Sequence, residues 1–266
     1  MKKLITLFLS LVMVLGVCMG LTACKPSAPS NYDRTVTLGF DAEFPPYGYL
    51  DAQSGQYVGF DIDFAKKVCQ ELNYKLILQP IDWDAKDAML ESGAIDFIWN
   101  GFTYEGREDK YTWTDRYLNN SIVVLTTDSS ITTLAQLAGK KVAAQTDSSG
   151  EAALNKNAAL TATFNNGTFS TEASYVVANE KLVAGAYDAI VVDFGVAKFL
   201  QDNNPALNIL DEAVATETYA VGFYKGNTEL RDIINAKMNE VAQNETFIKG
   251  LCTIYGVQYE SFLLGK

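Results

Sequence analysis

Thr35-Val36-Thr37-Leu38-Gly39-Phe40, a short run rich in β-branched and apolar residues, leads straight into Asp41-Ala42-Glu43-Phe44-Pro45-Pro46-Tyr47. The first part predicts a strand over 35–40, and the second holds an acid, aromatics and paired prolines that are unusual for pure core. Outward from this junction, short β-rich runs alternate with longer amphipathic ones. Helices are predicted from about Asp61 and from about Asp84, and strands over 74–79 and 95–100. In the first helix Phe64, Ala65, Val68 and Leu72 fall on one face, and Asp61 is placed to cap its start. This β/α alternation predicts an α/β fold.

A strand-like run over 121–127 follows, and then the alternation restarts. Strands are predicted over 141–144, 161–164 and 188–192, with helices from Ser148, across 172–183 and from 193 through Leu200. Strands over 207–210 and 219–224 come next, and helices over 229–241 and 245–255 close the chain. The restart predicts a second lobe.

The first 23 residues read as a targeting segment, positive at Met1-Lys2-Lys3 and apolar over 4–21 apart from Thr6, Ser10 and glycines. That length would also suit a membrane-spanning helix, so the residues behind it must separate the two. Leu21-Thr22-Ala23-Cys24 looks like the lipobox of bacterial lipoproteins, in which the thiol takes a diacylglyceryl group and the peptide is cut just before it. Residues 1–23 are then a signal peptide, and 24–32, with Lys25-Pro26-Ser27-Ala28-Pro29-Ser30, a flexible lipidated tether. The alternative is an uncleaved membrane helix with an incidental cysteine.

The chain has 21 basic and 32 acidic residues, and its signal segment takes away two lysines and no acid. So acidic a protein argues against nucleic acid as a partner. No basic patch follows Cys24, so membrane attachment would come from acyl chains, at about 0.8 kcal/mol per buried methylene. Histidine is absent, which excludes Ser-His-Asp and Cys-His catalysis, His-ligated zinc and histidine pH switching. Cys69 and Cys252 are expected as buried thiols, with one bridge between them as the alternative. No metal or cofactor is expected.

Four separated segments carry residues unusual for core: 39–47, Ile81-Asp82-Trp83-Asp84, Trp99-Asn100-Gly101-Phe102-Thr103 with Arg107, and Gln145-Thr146-Asp147-Ser148-Ser149 with Asp193-Phe194-Gly195. In β/α folds such segments tend to lie at the carboxyl ends of strands, where ligands bind. The stretch Asp41 to Tyr47, followed by Gly59-Phe60-Asp61-Ile62-Asp63, resembles the opening of the polar amino-acid-binding proteins of ABC transporters, solute-binding family 3. The resemblance continues in order through Asp82-Trp83-Asp84, Ser92-Gly93-Ala94-Ile95-Asp96, Asn100-Gly101-Phe102-Thr103, Leu137-Ala138-Gly139-Lys140-Lys141-Val142 and Gly185-Ala186-Tyr187-Asp188-Ala189-Ile190-Val191-Val192-Asp193.

It implies a periplasmic-binding-protein-like fold, two α/β lobes joined by two hinge strands with a ligand cleft between them. Lobe one is expected over 33–124 and 220–266, and lobe two over 125–219. The implied function is capture of a free polar amino acid (basic, amide or cystine-like) outside the cytoplasm and its delivery to an ABC permease. The protein would be a non-enzymatic monomer, held on the extracytoplasmic face of the cell membrane by the Cys24 lipid.

In such a site, Arg107 would pair with the ligand carboxylate, helped by the Thr103 hydroxyl and backbone N–H groups near Ser149. Asp193 would receive the ammonium. Phe44 and Trp83 would flank the side chain and Asp41 would meet its polar end, with Glu43 or Asp147 as further acids; Asn100, Gly101 and Gln145 complete the expected site. Two departures from the family stand out: one residue fewer between Thr103 and Arg107, and Asp147 where glycine is common. Each residue also has a plainer reading: a solvated Arg107, a helix-capping Asp193, core aromatics at 44 and 83, a turn residue at Asp41. The rival functions are a cyclohexadienyl dehydratase-like enzyme on the same fold, with Glu43 or Glu172 as its acid, and a ligand-sensing module.

Overall fold

A computed structural model describes residues 32–266. The signal segment 1–23, the lipidation position Cys24 and the tether as far as residue 31 lie outside the described residues.

The opening strand Arg34–Phe40 lies between Tyr74–Pro80 and Phe97–Ile98 and runs parallel to both. Gly222–Phe223 and Thr112–Trp113 add antiparallel neighbours to complete a first sheet. Parallel pairing needs a crossover, and helix Phe60–Glu71 supplies the first one. Its Phe60, Phe64, Ala65 and Val68 bury against Val36, Leu38 and Phe40, together with Ile234 and Met238 of helix Thr228–Ala242 and Leu251 of helix Glu245–Tyr255. Successive strand residues face opposite ways, so Phe97 joins this core while Ile98 joins Phe102, Trp113 and Ala220 on the other face.

The second sheet runs Ser170–Glu172, Val142–Gln145, Ala189–Asp193, Leu118–Thr126 and Asn208–Ile209, with Ala215–Tyr219 also on Leu118–Thr126. Ala189–Asp193 is buried at every residue: Ile190 and Val192 pack to one side, and Ala189 and Val191 to the other with Ile122, Val124 and Leu154. An apolar strand covered on both faces needs this two-layer setting. Leu118–Thr126 and Ala215–Tyr219 carry the chain between the sheets. They pair antiparallel, from Leu118 opposite Tyr219 to Ile122 opposite Ala215.

Several local expectations are corrected. Residues 161–164 form no strand: Asn157 caps a helical turn, Ala158–Thr161, and Ser170–Glu172 takes the place beside Val142–Gln145. The helix expected across 172–183 starts at Tyr175, where the Ser174 hydroxyl accepts the Val177 N–H. The strand expected over 219–224 breaks after Tyr219, because the Ala220 and Val221 N–H groups turn to the Phe102 carbonyl and the Thr114 hydroxyl. Asp61 does not cap its helix; its carboxylate points inward, fully buried. Cys69 and Cys252 are both buried and free. Among the described residues no helix is long and apolar enough to cross a membrane.

Candidate functional site

The strand ends converge. Phe40 leads to Asp41, Ile98 to Asn100 and Gly101, Gln145 to Ser148 and Ser149, and the strand Ala189–Asp193 terminates on Asp193 itself. Between them lies a narrow cavity, nearly filled by its own walls. Phe44, Trp83, Asn100, Gly101, Thr103, Arg107, Gln145, Ser149 and Asp193 all line it, joined by Ser148. Asp41 lies outside the lining, and so do Glu43 and Asp147, the further acids expected at the side chain. A larger and more open depression lies elsewhere, beside Leu118–Thr126 and helix Phe194–Asn203, and among the described residues Lys198 and Asp211 are the charged ones that line it.

At the base of the cavity Asp193 is 1 % exposed. Its carboxylate accepts from the Tyr219 hydroxyl at 2.5 Å and from the Asn120 amide at 3.0 Å, and it makes no side-chain cap to the helix that follows. Glu217 lies beside it. The same Asn120 nitrogen donates to Glu217 Oε1 at 2.8 Å, and the Thr103 hydroxyl donates to Oε2 at 3.0 Å. Burial pushes both carboxyls above their ordinary range, and for Glu217 the charge of Asp193 adds to the effect. Among the described residues neither acid has an ion-pair partner. Two buried acids with no cation in contact make a place that favours one.

The rim is built differently. Asp147, left-handed at φ 56°, presents its carbonyl to the Trp83 indole N–H at 3.2 Å and to an Arg107 guanidinium nitrogen at 3.2 Å. Its carboxylate pairs with Lys86, which is 1 % exposed and lies 4.8 Å from the Trp83 ring centre. Burial pulls the Lys86 ammonium below its ordinary value, with Asp147 opposing. Arg107 also donates to the Thr103 carbonyl at 3.3 Å and covers the Phe102 ring at 5.2 Å. It is therefore held in place, beside the amino end of helix Ser149–Lys156, whose dipole favours an anion. Gly106 at φ +79° makes the tight turn that the short spacing from Thr103 requires.

The remaining wall joins the two sheets. Asp41, 6 % exposed, accepts the Glu43 N–H at 2.8 Å through one oxygen, the work of a turn residue. Its other oxygen accepts from the Gln145 amide at 2.7 Å, and burial pushes its carboxyl up. Phe44 stacks on Tyr47 at 5.6 Å and leans on Tyr175 at 6.0 Å, while Trp83 meets Phe102 edge-on at 5.5 Å. Behind the cavity, Asp61 accepts the Gly101 N–H and, at 2.8 Å, the Tyr117 hydroxyl. Burial raises its carboxyl to about 7 against those two bonds. Gly101 sits at φ +55°, where a Cβ would come within 2.8 Å of Phe44.

Sequence reading missed Glu217, Lys86 and Ser148. Glu217 sits in Ala-Thr-Glu-Thr-Tyr, a run between the strands expected over 207–210 and 219–224, and its pairing with Leu118–Thr126 turns it inward. The two acids considered for catalysis lie outside the lining: Glu43 is exposed, and Glu172 is held by Lys181 and Tyr187.

Residues 36–251 match the family model of the bacterial extracellular solute-binding proteins, family 3. An L-cystine-binding protein of Escherichia coli (strain K12) is 26 % identical over 217 residues, 80 % of this chain and 79 % of that protein. An arginine-binding extracellular protein of Bacillus subtilis (strain 168) is 25 % identical over 252 residues, 92 % of this chain and 94 % of the relative. Among solved structures, an ABC uptake transporter substrate-binding protein from Streptococcus pneumoniae with bound histidine is 30 % identical with a TM-score of 0.79, covering 84 % of this chain and 93 % of that one.

Proposed function

The chain belongs to the bacterial extracellular solute-binding proteins, family 3, and from that premise we propose that its cavity takes up one free polar amino acid for delivery to an ABC permease. The observation that carries this reading is the pairing of opposite charges across one small space, with Arg107 at the rim and Asp193 at the base. A free amino acid presents one carboxylate and one ammonium, so the Arg107 guanidinium with the helix end at Ser149 would hold the first and Asp193 the second. Phe44 and Trp83 would flank the side chain. Asp41, outside the lining but bonded to the lining Gln145, would act through its charge on the polar end and favour a basic, amide or cystine-like ligand over an acidic one. The relatives' stated ligands, cystine, arginine and histidine, are of this kind.

On this reading the two lobes, 33–124 with 220–266 and 125–219, close on the ligand through the paired crossover strands, and the monomer hangs from the membrane by a lipid on Cys24. Titration calorimetry of the full chain in detergent against the twenty amino acids tests it. Binding of a polar amino acid is expected, with about 10- to 100-fold weaker binding in Arg107→Ala, the loss of a charged pair of roughly 1.5–3 kcal/mol. No binding at all, or unchanged binding by Arg107→Ala, would remove the proposal.

A further inference from the structure

We infer that Glu217 is a second acid of the ammonium subsite, and that the carboxyl pair it forms with Asp193 gives up a proton when a cationic ligand group arrives. This rests on the ligand-capture reading above and adds to it. Glu217 belongs to the crossover strand Ala215–Tyr219, is 7 % exposed, and lines the depression that shares Thr103, Arg107, Ser148 and Ser149 with the candidate cavity. Thr103 reaches it from the first sheet's loop, Asn120 from the other crossover strand, and Asp193 adjoins it from the end of the second sheet. Asn120 donates through one nitrogen to both carboxyls, which fixes them side by side.

Two carboxylates so close in a dry place do not both stay ionised; one keeps a proton while no cation is present. Glu217 is the one that keeps it. Each acid has one further hydroxyl donor, but the Tyr219 bond to Asp193 at 2.5 Å is shorter than the Thr103 bond to Glu217 at 3.0 Å, and the Arg107 charge also favours the ionised form of Asp193. When a ligand ammonium settles against the pair, its positive charge lowers the affinity of both carboxyls for protons. The Glu217 O–H bond then breaks, the proton leaves to solvent, and the ammonium keeps all of its own. No other redistribution of atoms is needed.

The depression that Glu217 lines also carries Glu105, Lys110, Asp147, Glu151 and Lys156 on its exposed side, and the remaining charged and titratable groups face Glu217 from the interior. Tyr219 lies on its own strand, Tyr47 on the turn after Phe44 and Tyr175 on helix Tyr175–Val183, and burial keeps all three phenols protonated. Arg107 stands on the Thr103 loop and Asp193 at the end of its strand. Asp61 lies behind Gly101 and must be separated from Glu217 by experiment.

The test is calorimetry on the full chain in detergent, titrating the amino acid found to bind, at matched pH in buffers of different ionisation enthalpy. Linkage requires affinity to rise with pH, by up to about tenfold per pH unit, wherever a proton is released on binding. The wild type is expected to release a fraction of a proton approaching one. Glu217→Gln is expected to bind with no proton release and a flat profile, and Asp61→Asn to release as the wild type does. Binding without proton release in the wild type overturns the inference whether or not Glu217→Gln folds. So does release that persists in Glu217→Gln or vanishes in Asp61→Asn. Failure to bind any amino acid instead sinks the capture reading on which it stands.

Discussion

The base and the rim of the cavity spend their charges in opposite ways. At the rim Lys86 and Asp147 satisfy each other, and the Asp147 carbonyl ties Trp83 and Arg107 to the same turn. At the base Asp193 and Glu217 face each other with only neutral donors, Asn120, Tyr219 and Thr103, around them. The Lys86–Asp147 pair of the rim is complete as it stands. The base is not, and its cost is borne by a structure whose apolar strand Ala189–Asp193 and paired crossover strands hold the two acids in place. The difference teaches where to look for ligand chemistry: at charges the protein does not itself answer.

The comparison breaks most sharply at Asp193. Asp193→Asn should weaken ligand binding by roughly 100- to 1000-fold, because losing one partner of a buried charge pair costs about 3–5 kcal/mol. The same change should raise the melting temperature of the empty protein, since it removes the one ionised carboxylate of the pair from a dry place. Calorimetry and thermal unfolding on one variant read both signs. Loss of binding together with loss of stability would place Asp193 with the rim as a structural charge.

Asp61 sharpens the picture one layer behind the base. Its carboxyl has an ordinary value of 3.8 and stands at about 7 in the folded chain. The unfolded chain thus ionises first, so Asp61 favours the folded state fully below its unfolded value and loses that contribution as pH rises to about 7. The slope is about 1.4 kcal/mol per pH unit while it lasts, a few kcal/mol in all as an order of magnitude. Asp61→Asn should gain stability relative to wild type across that window and hold the gain above it. Parallel unfolding curves from about pH 4 to about 8 would show instead that Gly101 and Tyr117 fully compensate the buried charge.

What could be read from the sequence follows the same division. The opening strand, the buried helix Phe60–Glu71 and the closing helix Glu245–Tyr255 were legible because apolar spacing records which face is covered. The cavity-lining residues were legible because polar and aromatic types at strand ends have no core role. Asp61 was misread as a cap since only the approach of Gly101 and Tyr117 makes an inward carboxylate tolerable. Glu217 and Lys86 were invisible for a related reason. Each looks like an ordinary surface charge until a distant segment, Asn120 for one and Asp147 for the other, covers it. Periodicity carries local burial; it does not carry the closing of one sheet's loops over another's.

The smallest effect belongs to the rim, and it distinguishes the partners there. The Asp147 side chain is 48 % exposed, so as a pair with Lys86 it contributes modestly, on the order of 1 kcal/mol after solvent screening. Asp147→Gly keeps the left-handed backbone and both carbonyl bonds but leaves Lys86 buried without its carboxylate, and should weaken binding about fivefold. Lys86→Met removes the burial cost together with the pair, keeps the apolar stem against Trp83, and should change binding by less than about twofold. Raising the salt from about 0.05 to about 0.5 M should shrink the Asp147→Gly effect, because the exposed half of the pair is screened. Equal losses in the two variants, unmoved by salt, would mean that the carboxylate acts on the ligand itself, and that the rim, like the base, holds a charge meant for something other than the protein.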